Sequence, residues 1–561
     1  MLFVEFDLKK KIIKIKIFKG EYEKMIREID LTKKGVMKRV RYHGSPHSRK
    51  VLKAISYILN LDIVKIVGRK MNREYENTDG LRPAYDRVML IGVELFCREK
   101  KISTYYGIER EIQDNSALMA FVDYHPPKYT TISNFLKEIS ETWLKEIFYR
   151  HLVLINDYDP LNFEKVFIDG TDVIANASIN YTINEKQIDA IKLLYEWRLL
   201  HNGKKENIKK TIEILKEKLD EYENNEKIYN TIQIALKRPQ IYTYKNYERI
   251  EKIQKILKET EKKSVSISFP EGVIIKTKKG RFDVGFNLQL LMLNNHLILA
   301  GYLTRTSNDE NVMQIILDEL KKDLKLFVEI MEKYGENTEN IDKLKNLLEN
   351  VTFICDSGYF TNDNIEACFI ENVELIVMSK QAARQENNKK REKWYEKIQD
   401  VKTHKSDKVS KKLCIRIKNG YICPFKRKIL LTRQYKTNSK FNKNLDTTDE
   451  LLYEYCYVHE CEDCTGCPYL EKYGKPCDCA TINDRVTKFK YETTNEFVEG
   501  IHKEVYKDRI HISERVNAFL KGLTGMYHVK GRDYKSAKNQ VLLADLLHNM
   551  IRFENIKDTY Y

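Results

Sequence analysis

Between residues 160 and 380 the apolar positions gather in short continuous runs, each closed by a polar or turn-forming residue. "KVFIDGT" ends on Asp169. "RFDVGFNLQLLML" and "HLILAGYLT" flank Asn294-Asn295. "VTFICD" ends on Asp356, and "VELIVMSK" follows it. Apolar runs bounded by turn residues predict strands, and the Asn-Asn pair predicts a hairpin between the second and third. "NDNIEACFIEN" lies between the last two runs and reads as a helix, so those strands form a βαβ unit and run parallel. "DENVMQIILDELKKDLKLFVEIMEKYG" spaces its apolar residues as a long amphipathic helix. The order is three strands, a helix, a strand, a helix and a strand, with helices after. It predicts an α/β unit: an antiparallel meander continued into a mixed sheet, with helices on its faces.

Elsewhere the helical period dominates. "MLFVEFDLKKKIIKIKIFKG" reads as a short hairpin and "SRKVLKAISYILNL" as a helix. Residues 80–150 hold several short helices; in "PPKYTTISNFLKEISETWLKEIF" a helix enters after Pro127, with Thr131 or Ser133 as N-cap. Such a set fits a helix-turn-helix type module that contacts DNA, or a plain helical bundle. Residues 183–262 are strongly helical. Ile208, Ile212, Leu215, Leu219 and Tyr222 form a seam and Pro239 a break, which together suggest an inserted helical hairpin packing within the chain or against a second copy. The domain reading is a basic segment 1–75, a helical domain 76–155, a core 160–380 carrying the insertion 183–262, a basic and Cys-rich insertion 381–485, and C-terminal helices 486–561.

Charge adds a partner to this picture. The chain has 98 Lys+Arg against 82 Asp+Glu, a formal excess of +16. Residues 381–440 alone hold 19 Lys/Arg and 5 Asp/Glu, so one stretch carries +14 of it. A field that concentrated attracts polyanions, and double-stranded DNA is the expected one; a solvated lysine-rich loop is the plainer alternative. No apolar run reaches the ~20 residues of a membrane span, and the N-terminus shows no signal pattern. The expectation is a cytoplasmic, nucleoid-associated bacterial protein with no membrane partner.

Two strands that end on acids raise a question of chemistry. In α/β sheets reactive groups gather at strand ends. If the strands ending on Asp169 and Asp356 are neighbours, two carboxylates stand side by side and repel. A divalent cation relieves that repulsion, and Mg²⁺ favours such oxygen ligands. The alternative is that each Asp only caps a turn. In "YKDRIHISERVNAFLKG", Glu514 and Lys521 stand seven residues apart, close to two turns, and share a helix face with Arg515 beside Glu514.

These segments together resemble a bacterial insertion-sequence DDE transposase. "FIDGTDVIANA" resembles the family's first-Asp segment, "FICDSGYF" the second, and "ISERVNAFLKG" the segment carrying the last Glu and a Lys. "GLRPAYDRVMLIGV" and "YTTISNFLK" resemble its N-terminal helical domain, and "KGRFDVGFNLQL", "SNDE" and "LLHNMIRF" its other landmarks. Tyr506 and Arg509 keep their mutual spacing, but Arg509 lies farther from Glu514 than the family pattern has it. The resemblance implies an RNase H-like sheet flanked by helices. It implies Asp169, Asp356 and Glu514 as catalytic ligands of Mg²⁺ or Mn²⁺, and Lys521, Arg509 and Arg515 as DNA contacts. It implies cleavage at terminal inverted repeats and transfer of the freed 3′-hydroxyls into target DNA by a protein acting as at least a homodimer. Two rival readings are a DNA-binding protein without catalysis and an RNase H-like nuclease without strand transfer.

Eight of the eleven cysteines fall between Cys414 and Cys479. Cys461, Cys464 and Cys467 are spaced C-x-x-C-x-x-C, a pattern of thiolate metal sites. A ferredoxin-type run wants a further Cys where Glu471 stands. Structural Zn²⁺ held by Cys461, Cys464, Cys467 and Cys477, an iron–sulfur cluster and free thiols all stand open on the sequence.

Overall fold

The computed structural model describes residues 2–7, 12–17, 26–27, 29–74, 84–179, 182–200, 244–259, 263–277, 280–335, 340–379, 396–403, 409–438, 449–522 and 524–560. The chain divides into two compact units. One comprises residues 1–97 and 105–139, the other 98–104 and 140–561.

The first unit begins with the expected hairpin, Leu2–Asp7 antiparallel to Ile12–Ile17. Its helices are short, and some carry their own side-chain caps. Thr32 accepts from Gly35 N at 3.0 Å, and Ser45 from Ser48 N at 3.1 Å with Pro46 in the first turn. The helix expected to be capped by Thr131 or Ser133 starts earlier, as Tyr129–Glu138, and has no side-chain cap. Its leading N–H, on Tyr129, is met from a neighbouring helix by Glu109 Oε2 at 2.9 Å, so a tertiary contact takes over the cap's role. Helix Lys33–Val40 packs on Pro46–Leu59 and on Ser116–Phe121. The boundary drawn at residue 75 therefore does not divide the structure: residues on both sides of it share one helical unit.

The second unit is built on a mixed sheet. Its strands are β1 Lys165–Ile174, β2 Phe282–Met292, β3 Ile298–Thr304, β4 Thr352–Cys355 and β5 Glu374–Val377. Their spatial order is β3-β2-β1-β4-β5. β2 is antiparallel to β1 and β3, while β4 is parallel to β1 and β5 to β4, the RNase H-like arrangement. A short strand, Val273–Lys276, adds to the start of β2. The β2–β3 hairpin forms where Asn294-Asn295 predicted it, but the left-handed residue is His296 (φ 66°). The strands are nearly continuous in burial, as a sheet covered on both faces requires.

Helices α1 Glu141–Tyr158, α2 Met313–Tyr334 and α3 Asn362–Ile370 pack together, and Tyr302 of β3 donates to Asp323 of α2 at 3.1 Å. Further along the chain, α4 Lys488–Glu499 ends at left-handed Gly500, α5 Lys503–Gly522 lies on β1 and β4, and α6 Tyr534–Tyr560 lies on β3. Asn549 of α6 both donates to and accepts from the backbone of Ile298 on edge strand β3.

Of the helical insertion, Glu185–Leu200 and Tyr244–Glu259 are seen packed on each other around Ile188, Ile191, Ile250 and Ile253. The seam from Ile208 to Tyr222 and Pro239 lies outside the described residues. The Cys-rich region forms its own antiparallel sheet: β6 Ile415–Ile417, β7 Gly420–Ile422, β8 Lys428–Lys436, β9 Glu454–Cys461 and β10 Thr481–Thr487. Much of the basic stretch before it, residues 380–395 and 404–408, lies outside the described residues.

Candidate active site

β1 and β4 pair in register, Ile168 opposite Cys355, so Asp356 leaves the end of β4 level with Asp169. β1 does not end on Asp169 as its apolar run suggested but continues to Ile174, because β2 pairs with it along that further length. The two acids are thus brought together by the topology that two apolar runs of different length dictate. Asp356 also caps its own turn, with its Oδ1 accepting from Gly358 N at 2.6 Å. The turn-capping role and the paired role coexist in one side chain.

Asp169 faces α5. Arg509 Nη1 lies 3.4 Å from its Oδ1, and Asn517 Nδ2 donates to its Oδ2 at 2.6 Å. Arg509, Ser513 and Asn517 recur every four residues, which sets them in one line along the helix. Arg509 is deeply placed. Burial works against its charge, while Tyr506, Asp169 and Asp356 hold the guanidinium protonated above its ordinary range. Among the described residues Arg509 Nε, Ser513 Oγ and Asn517 Oδ1 are buried without a hydrogen-bond partner.

Glu514 stands on the flank of the same helix, exposed, one turn before Asn517. Lys521 follows on that flank, its Nζ 5.7 Å from the Tyr527 ring. Arg515 is exposed and turns the other way, toward His296 and Arg552, whose proton affinities it lowers after burial has done so.

The opposite face of the sheet holds a carboxylate that the sequence reading gave no role. Asn287 and Gln289 stand opposite Asp172 and Gly170 in the β1–β2 register, so all four share a face. Both amides donate to Asp309 Oδ1 at 2.8 Å. A Cβ on Gly170 would run into the Asp309 carboxylate, so glycine makes the room it occupies. Burial pushes Asp309 above its ordinary value, and the charges of Asp356 and Asp172 push the same way against the two amide hydrogen bonds. The Tyr359 phenol, buried and donating to Gln289 Oε1, is raised by burial and then by Asp309, Asp169 and Asp356. Asp356 therefore sits between two groups, Asp169 with Arg509 on one face and Asp309 with Asp172 on the other. Polar Asn287 and Gln289 at alternate positions of an otherwise apolar strand were the available signal.

Among the described residues no group of three or more His, Cys, Asp and Glu side chains is already arranged to hold a metal ion. All the cysteines carry free thiols. Cys461 closes β9, Cys464 and Cys467 bracket the next turn, and Cys477 precedes β10; Cys461, Cys467 and Cys477 share one small core. No helix of the described residues is long and apolar enough to cross a membrane.

Residues 41–138, nearly all of the helical unit's helices, match the family described as Transposase domain (DUF772). The chain thus carries a transposase domain, which supports an insertion-sequence transposase and DNA as its general substrate. The match does not extend to the sheet that bears the acids. A search of curated proteins and a search of solved structures each returned no match.

Proposed function

We propose that the chain is a DDE transposase that cuts DNA at terminal inverted repeats and joins the freed 3′-hydroxyls to target DNA. The observation that carries this reading is the placement of Asp169 and Asp356 on adjacent parallel strands, with α5 docked over them, in a chain that also holds a transposase domain. The donor set fits a hard cation: carboxylates gathered at one place in the sheet, Asp309 raised by burial and further by the charges of Asp356 and Asp172, and a buried amide oxygen, Asn517 Oδ1, with no partner among the described residues. Asp169 and Asp356 would hold Mg²⁺ or Mn²⁺, with Glu514 closing in from the flank of α5. Bound there, such ions lower the pKa of an attacking water or 3′-hydroxyl and offset charge on the phosphate.

The chain's own groups do the rest. Arg509 neutralises Asp169 and Asp356 until ligands arrive, then serves the DNA phosphate. Gly358 leaves the mouth of the site open to a backbone. Lys521, Arg515 and the basic stretch hold flanking DNA. The helical unit recognises the ends, and two copies pair them.

The Arg509 and Asn517 contacts to Asp169 also favour a second reading, a DNA-binding protein whose acids are closed by their own cation. One assay separates the two. Full-length protein is given Mg²⁺ and DNA carrying the inverted repeats that flank its gene. Strand cleavage and joining are expected, falling by about 10²–10³-fold or more in Asp169→Asn and Asp356→Asn with end binding retained. No products from any of the three would leave the second reading standing, and equal products from all three would reject Asp169 and Asp356 as the catalytic pair.

A further inference from the structure

The Cys-rich sheet has a small core. Its buried cluster numbers eleven residues, from Val401 to Ile482, and four of them are cysteines: Cys414, Cys423, Cys467 and Cys479. A core that thin needs reinforcement. The thiols are not equivalent. Cys414 lies 3.4 Å from Cys479, whose thiol donates to Val409 O at 3.3 Å. The hydrogen bond from Cys414 and burial keep the Cys479 thiol protonated.

Cys423 is held differently. It opens a tight turn in which Lys426 N–H donates to its carbonyl at 2.9 Å and Lys426 adopts φ 63°. Arg427 N–H then points at Cys423 Sγ, 3.3 Å away. Burial is the larger effect and leaves the Cys423 thiol raised, with this N–H acting against it. A second turn faces it. Cys464 to Cys467 is closed by Cys467 N–H to Cys464 O at 3.1 Å, with Gly466 at φ 63°. The Arg427 side chain ties the two turns together, its Nη2 donating to Thr465 O and Gly466 O at 2.9 Å each. Cys461, Cys467 and Cys477 lie near enough to Cys423 that their charges interact, and Cys461 hydrogen-bonds Cys464.

We infer that Cys423 is a ligand of a structural tetrathiolate Zn²⁺ site completed by Cys467, Cys477 and one of the bonded pair Cys461–Cys464. The backbones of the two turns are in place, and zinc binding reorients the thiols on them. Cys414 and Cys479 stay outside as core thiols. The site clamps two turns of the Cys-rich sheet and takes no part in the chemistry at Asp169, so it stands or falls apart from the transposase reading.

The test uses the intact full-length chain. Cysteines are alkylated with and without prior removal of zinc by a chelator, and each is read by mass spectrometry. Cys423, Cys467 and Cys477 are expected to be protected by zinc and labelled after chelation. Elemental analysis should find stoichiometric zinc, lost to background in Cys423→Ser and kept in Cys414→Ser. Cys461→Ser and Cys464→Ser should differ, one losing the metal and the other keeping it. Labelling of Cys423 that ignores zinc, full zinc in Cys423→Ser, or iron in place of zinc overturns the inference; the labelling arm reads the wild-type fold and does not depend on any variant folding.

Discussion

The two sheets of the larger unit both take charge out of water, and they do it in opposite ways. In the Cys-rich sheet, Arg416 and Asp484 are 2% and 5% exposed and sit midway along the two outermost strands, β6 and β10. Tyr421 donates to Asp484, Lys411 pairs with it, Arg416 Nη2 donates to Asn495 Oδ1 at 3.0 Å, and the guanidinium lies between the Tyr421 and Tyr491 rings at 4.7 and 4.8 Å. In the core sheet, Asp169 lies midway along β1 and Asp356 just past the end of β4, and the Asp169 side chain keeps 20% of its surface. One pair is enclosed on all sides by groups that do not leave. The other is answered by a single arginine on a helix and opens to solvent. How completely its partners enclose it, more than the presence of a buried charge, distinguishes a structural rivet from a place where a ligand can act.

The sharpest way to break this contrast is Asp484→Ala. It leaves Arg416 buried and unpaired, and the Cys-rich sheet should lose about 3–5 kcal/mol. Hydrogen exchange should show protection lost across β6–β10 and kept in β1–β4; a loss below about 1 kcal/mol would mean the pair is no rivet. Next comes Gly170→Ala, which drives a methyl into the Asp309 carboxylate and should cost about 1–3 kcal/mol by chemical denaturation. A neutral result would show that Asp309 is not held where the arrangement of acids needs it.

The smallest effect has the opposite sign. Asp309 is raised above its ordinary value, by burial first. A carboxyl raised in the folded state contributes fully below its unfolded pKa, and that contribution is lost as pH rises through the folded one. Asp309→Asn, which keeps an oxygen for Asn287 and Gln289, should melt with wild type in acid and about 1–3 °C above it at neutral pH without added metal. A variant less stable than wild type at neutral pH would place Asp309 with the rivets.

Much of the core sheet was legible because its signals are local. Apolar runs carrying Asp169 and Asp356, an Asn-Asn turn and a helix between the last two runs each name an element, and the parallel β4–β5 pairing follows from the βαβ rule. That β1 stands beside β4 stood only as a condition. Asp309 was not legible. In "SNDE" it looks like any turn residue, and only the register of β2 reveals that Asn287 and Gln289 reach it. The Arg509–Asp169 contact spans 340 residues of chain and has no sequence signature. The β6–β7 hairpin did have one: Asn419-Gly420 between apolar pairs, with Asn419 at φ 51°. The lysines around it drew the reading toward charge and away from the period-two pattern. The helices before residue 75 join those after 105 through contacts that no window of sequence contains.

The clasp of Asn549 on Ile298 has a consequence for how copies of this chain meet. A carboxamide presents one donor and one acceptor in the spacing of a peptide group, so the outermost strand ends its ladder on a side chain. A neighbouring molecule offering a strand there finds that rung already taken. Self-association through an added strand is closed at this rung.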